Sequence, residues 1–217
     1  MSDIFREVDE EVRHERLFKL WRKYGNYVVA AFVAVALGVG GSVGLKQYRL
    51  NQRLAEGAEF AATLDLLNEG QPALAAERFA VLADDAGAGY AALARLREAE
   101  ALAEAGDTDG AFAALERLAA DDGADRALRD LAGLLTVLQM IDDGGAPDAL
   151  EERLEPLMQD GSLWRASARE LGGLVAFRRG ETARAREIFT GLAADATAPA
   201  AVRGRAAEFL AILDGGG

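Results

Sequence analysis

Glu104-Ala105-Gly106-Asp107-Thr108-Asp109-Gly110-Ala111-Phe112 decides the fold, because its plan recurs along the chain. Taking Gly70, Gly106, Gly145 and Gly180 as turn markers, Ala75, Ala111, Leu150 and Ala185 follow five residues later. Nine residues after each glycine stand Phe79, Leu115, Leu154 and Phe189, and twelve after stand Leu82, Leu118, Leu157 and Leu192. Fifteen after come Asp85, Asp121, Asp160 and Asp195. Offsets of five, nine and twelve put the apolar residues on one face of a helix. A glycine supplies the positive φ of a helix C-cap or tight turn. The aspartate falls where that helix stops and the next needs capping. Each unit therefore reads as a helix, a turn at glycine and a second helix. A lone hairpin cannot bury its apolar face, so the copies must stack.

Seven residues before the glycine, Thr63, Ala99 and Gly173 are small and let paired helices approach closely. Leu138 departs from this in the third unit, which predicts looser packing there. After the fourth unit, Thr197 and Pro199 open one more helix, Ala200 to Leu213, in the place where a solenoid covers its exposed end.

A different pattern precedes the repeats. From Gly25 to Leu45 no residue is charged, and the run is almost continuously apolar. About 20 such residues suffice to cross a hydrocarbon core, and this run shows no polar face. Trp21, Tyr24 and Tyr27 at one end and Tyr48 at the other match interfacial aromatics. Arg13, Arg16, Lys19, Arg22 and Lys23 precede the run, against Lys46, Arg49 and Arg53 after it. The excess predicts a cytoplasmic N-terminus and a large domain across the membrane, which in a bacterium is the periplasm. The alternative is a cleavable signal peptide. Against it stand the length of the run, the acids ahead of it and the lack of a clear small-x-small cleavage site. Ala36, Gly40 and Gly44 form a small-residue stripe suited to close helix packing in lipid. The predicted organisation is thus a charged, amphipathic cytoplasmic arm (residues 1–24), a transmembrane helix (25–45) and a periplasmic all-α domain (46–217) of about four hairpins plus a capping helix. Ile4, Phe5, Val8 and Val12 give the arm its apolar side, as a lead-in to the span or a surface-lying helix.

Composition narrows the function. The formal charge is −12 and lies almost wholly after Leu45, a surface that repels phosphate backbones. There is no cysteine, hence no disulfide and no thiolate chemistry. The single histidine, His14, is in the arm, separated by the predicted membrane from Ser162 and Ser167, so no Ser-His-Asp triad is expected. The acid pairs Asp84-Asp85, Asp121-Asp122 and Asp142-Asp143 fall at predicted turns, where aspartate caps helices. Ser162 reads as the N-cap of the helix that Trp164 opens, and Trp164 itself as core. No catalytic residue, metal site, cofactor or small-molecule substrate is expected, and an enzyme is the poorest reading.

The glycine, acid, alanine pattern around Gly106 and in Gly173-Leu174-Val175-Ala176-Phe177-Arg178-Arg179-Gly180-Glu181-Thr182-Ala183-Arg184-Ala185 resembles the tetratricopeptide repeat, in degenerate copies that lack its early Trp and inter-repeat Pro. The whole layout resembles the YfgM-like family of ancillary Sec-translocon subunits. That resemblance implies protein partners: translocon subunits, a membrane-anchored periplasmic chaperone and exported clients. A structural adaptor of another envelope complex, in cell division or outer-membrane assembly, shares the same signature. In tetratricopeptide solenoids the first helix of each hairpin lines the concave face. By resemblance, positions ten and six before the glycine point there: Leu96 and Glu100, Leu135 and Gln139, Glu170 and Leu174.

Overall fold

The structure is a computed structural model that describes the backbone of residues 3–215 and the side chains of Tyr27, Val35, residues 37–39 and residues 41–215. The chain divides into two compact units, residues 1–55 and 56–217. The described part of the first belongs to α1 (Asp3–Asn68), whose last residues belong to the second. Its described apolar side chains Val35, Leu37, Val39, Val43 and Leu45 are all exposed. Ser42 folds its hydroxyl back onto the Val39 carbonyl at 2.8 Å, which keeps it from presenting a free donor. Among the described residues, no helix is long and apolar enough to cross a membrane. Much of the run Gly25–Leu45 lies outside them, including the side chains of Ala36 and the position Gly40, as do those of the arm; Gly44 is exposed with open space around it.

The second unit is all helical. The end of α1 is followed by α2 (Pro72–Asp85), α3 (Ala88–Glu104), α4 (Thr108–Ala119), α5 (Arg126–Asp142), α6 (Pro147–Leu154), a 3₁₀ turn (Pro156–Met158), α7 (Arg165–Arg178), α8 (Thr182–Ala194) and α9 (Ala200–Gly215). Every apolar residue in the predicted offsets is buried, from Ala75, Phe79 and Leu82 to Ala185, Phe189 and Leu192. The hairpins stack as expected, and their cores are shared. One core joins the end of α1 and α2 to α3; the next joins α3 and α4 to α5. A third joins α5, α6 and the 3₁₀ turn to α7, and a fourth joins α7 and α8 to α9. Phe60 shows how the first is tied, with its ring 5.4 Å from that of Phe79 and 5.9 Å from that of Tyr90.

The hairpin turns share one hydrogen-bond scheme. A glycine at φ 74° to 85° donates to the carbonyl three residues back, and the next residue donates to the carbonyl five back. This pairing satisfies carbonyls that a helix end leaves open. In the third unit the glycine is Gly144, not Gly145 as the spacing predicts. One extra residue, Ala146, stands between the turn and Pro147. Ala146, ahead of the proline, is extended with ψ 130°, so the chain takes one more residue to enter α6. Counting back from the helix start therefore lands one residue late. Counted from Gly144, the small-residue position belongs to Val137, which is fully buried, while Leu138 is 39 % exposed. The third hairpin is nonetheless looser, as expected: α5 and α6 touch over much less of their length than α3 and α4 or α7 and α8, because α6 is short, and Leu138 is not the cause.

The aspartates at the unit ends are more varied than predicted. Asp121 accepts from the Gly123 amide, and Asp195 accepts from both the amide and hydroxyl of Thr197 ahead of α9. These bonds hold the Asp195 carboxyl below its ordinary pKa. Asp160 instead pairs with Arg165. The side chains that cap helices are Asp107 on α4 and Asp125 on α5. Ser162 is not the N-cap of α7; that residue is Trp164, whose amide donates to the Ser162 hydroxyl.

Gly173 is the tightest of the small positions: a Cβ there would meet Cζ of Phe189 at 2.8 Å. Gly204, in α9, would meet nothing. Gly173→Ala is expected to destabilise by about 1–3 kcal/mol through overpacking, and Gly204→Ala to stabilise by up to about 1 kcal/mol through helix propensity. Urea denaturation of the two variants checks both signs; a neutral Gly173→Ala contradicts the packing described.

Candidate partner-binding cleft

Because each core borrows a helix from the next hairpin, successive first helices lie side by side. Between α3 and α5, floored by α4, they leave an open cleft of about 450 Å³. Leu96 and Glu100 line it from α3, and Leu135 and Gln139 from α5. The structure thus brings four of the six concave-face positions together. Leu135 and Gln139 count nine and five before Gly144, one residue nearer the turn than Leu96 and Glu100 are to Gly106. They belong to the flank of α5 that lines this cleft.

Glu170 and Leu174 are not part of it. Glu170 is 7 % exposed and receives a bidentate pair from Arg205 of α9, at 2.6 and 2.7 Å. That hydrogen bonding raises the Arg205 pKa above its ordinary value. Leu174 packs between the third and fourth cores. The capping helix has covered the face that these positions occupy in the inner hairpins. The sequence reading missed Leu93 and Leu131, which extend the apolar lining. A signal for them exists: they stand three residues before Leu96 and four before Leu135, where a helical face repeats.

The cleft walls are held by polar ties. Gln139 donates its amide to the Thr108 carbonyl at 2.6 Å, fastening α5 to the start of α4. Glu100 pairs with Arg97 at the rim. Behind the wall, Glu98 is 5 % exposed and accepts from Arg117 of α4 at 2.6 Å. Burial raises the Glu98 pKa above the ordinary 4.5, and the positive charges of Arg117 and Arg95 only partly offset it. A second, more polar pocket of about 360 Å³ lies between α4, α5 and the 3₁₀ turn. Its arginines Arg129 and Arg153 are already engaged by Asp122 and Glu116.

The remaining sequence candidates take structural places. Trp164 donates its indole N–H to the Ala127 carbonyl at 2.8 Å and packs on the third core. Asp84 pairs with Arg95. His14 lies outside the described side chains, and among the described residues no group of three or more His, Cys, Asp or Glu is arranged to hold a metal ion.

A raised carboxyl pKa in the folded state means that the unfolded chain binds fewer protons between the two values. Glu98 thus contributes stability below about its ordinary pKa and loses it as the pH rises through the raised folded value. Glu98→Gln removes this dependence. The stability of the variant relative to the wild type is expected to improve as the pH rises from the ordinary carboxyl value through the raised folded one and then to level off, measured by chemical denaturation; parallel curves contradict the assignment.

The family comparison agrees with the stacked hairpins and the turn glycines. Residues 19–207 match the model of the tetratricopeptide repeat-like domain family. No curated protein matches the chain. With most of its length inside that match, the chain belongs to the tetratricopeptide repeat-like domain family.

Proposed function

We propose that this protein is a non-enzymatic interaction module, anchored in the bacterial inner membrane by residues 25–45, that docks partner proteins in the cleft between α3 and α5. The observation that carries the reading is the cleft itself. It is apolar, open and framed by Leu96, Glu100, Leu135 and Gln139, on a domain whose family generally binds proteins. Apolar side chains left accessible between rigid helices suit the side chains of a peptide segment better than a phosphate or nucleic acid.

The anchor is supported by the uncharged run from Gly25 to Leu45 and by the exposed apolar side chains Val35, Leu37, Val39, Val43 and Leu45. In this reading Ala36, Gly40 and Gly44 pack against another membrane helix. Flanking charge sets the N-terminus in the cytoplasm and the repeat domain in the periplasm. The layout favours work beside the Sec translocon, with translocon subunits, a membrane-anchored chaperone and exported proteins as partners. A structural adaptor of a division or outer-membrane assembly complex is the second reading, since it would use the same cleft and anchor.

Protease added outside spheroplasts is expected to digest the repeat domain; a protected domain with a cut arm reverses the orientation. Membranes from the same cells, solubilised in mild detergent, are expected to yield translocon subunits with the wild-type chain and to lose periplasmic partners with Leu96→Glu combined with Leu135→Glu. Recovery of a division complex instead moves the assignment to the adaptor. Unchanged capture by a correctly folded double variant removes the cleft from the account.

A further inference from the structure

The cleft is electrically lopsided. α3 and α5 close it on two sides, and both run towards the same end of it. Gln139, in the last turn of α5, reaches the carbonyl of Thr108, just past the turn that follows α3. Glu100 and Ala103 share the cleft with Gln139. Two helix dipoles therefore present their negative ends together, a place that favours cations. Neither helix has a basic residue in its last turn. Instead α3 finishes on Glu104 and α5 on Asp142, with Asp143 as its cap residue. All three carboxylates are exposed. Arg178 donates to the Ile141 carbonyl at the end of α5 and Arg97 pairs with Glu100, while Glu104, Asp142 and Asp143 enter no ion pair among the described residues. Carboxylates set against helix C-termini cost stability, and a bound cation relieves that cost.

We infer that the cleft takes a partner segment with two or three aliphatic or aromatic side chains on one helical face, followed by lysines or arginines. The apolar side chains fill the space between Leu93, Leu96, Leu131 and Leu135, and the cations lie against Glu104, Asp142 and Asp143. This rests on the cleft being the docking site proposed above. Charge excludes the other occupants. An acidic segment would meet like charge at the carboxylate end. A second copy of this domain brings fifteen arginines against thirty acids from Glu56 onward, and would be repelled as well.

The test uses the purified full chain in lipid nanodiscs and three short fluorescent peptides. The first has leucines at i, i+4 and i+7 followed by a lysine cluster. The second replaces the lysines by glutamates, and the third replaces the leucines by serines. The lysine-ended leucine peptide is expected to bind at least about tenfold more tightly than either of the others. Glu104→Gln with Asp142→Asn and Asp143→Asn is expected to remove that preference and flatten its salt dependence, leaving the glutamate peptide no weaker. Leu96→Glu with Leu135→Glu, checked for fold by circular dichroism, is expected to abolish binding. Equal binding of the lysine and glutamate peptides, both lost in the leucine variant, overturns the inference and leaves the cleft as docking site. Equal binding of the serine peptide reduces the effect to general attraction and overturns it too. Failure of every peptide to bind, or binding that survives the leucine variant, overturns the inference together with the docking reading.

Discussion

No hairpin in this domain closes its own core. Phe79 and Leu82 need α3, Leu115 and Leu118 need α5, Leu150 and Leu154 need α7, and Phe189 and Leu192 need α9. Removing apolar surface from water is the main favourable contribution to folding, and here it accrues only when neighbours are in place. Stability is then shared along the stack, and the last hairpin requires a helix that belongs to no hairpin. The same constraint creates the candidate site. First helices brought side by side to complete a core leave a cleft along their outer flanks, which α9 covers at the end of the stack and nothing described covers between α3 and α5.

Charge works against this arrangement and is partly turned to its service. With twice as many acids as arginines from Glu56 onward, the domain repels itself. Its arginines are spent between hairpins: Arg153 of α6 on Glu116 of α4, and Arg179 and Arg184 on Glu151 across the α6–α8 side. Exposed pairs of this kind contribute little individually. In two pairs, Glu98 with Arg117 and Glu170 with Arg205, the carboxylate is buried while the arginine stays about half exposed, so removing the arginine would leave a buried charge unpaired. Three acids in no such pair, Glu104, Asp142 and Asp143, stand at the C-terminal ends of the two helices that wall the cleft.

Much of this was legible in the residues. The offsets of five, nine and twelve identify the buried face because helical periodicity and burial are set by the same geometry. The third turn was misplaced because adjacent glycines both fit the pattern, and only the backbone decides: Gly144 takes the positive φ, while a Cβ on Gly145 would meet the Met140 carbonyl at 2.7 Å. Both glycines are needed, for different reasons. The cleft was half legible. Leu96 and Glu100 follow from the repeat, but the fate of Glu170 depends on where Arg205 of α9 lands, a contact thirty-five residues distant that no periodicity encodes. Ser162 was misjudged because its hydroxyl serves the Trp164 amide in a tight turn before the helix proper.

The central claim is that partners meet this protein in the cleft between successive first helices. A photoreactive amino acid introduced singly at Leu135, inside the cleft, or at Val81, exposed on α2 away from it, tests this in intact cells. Covalent adducts to other proteins are predicted from position 135 and not from position 81. Adducts from position 81 alone, or equally from both, contradict it.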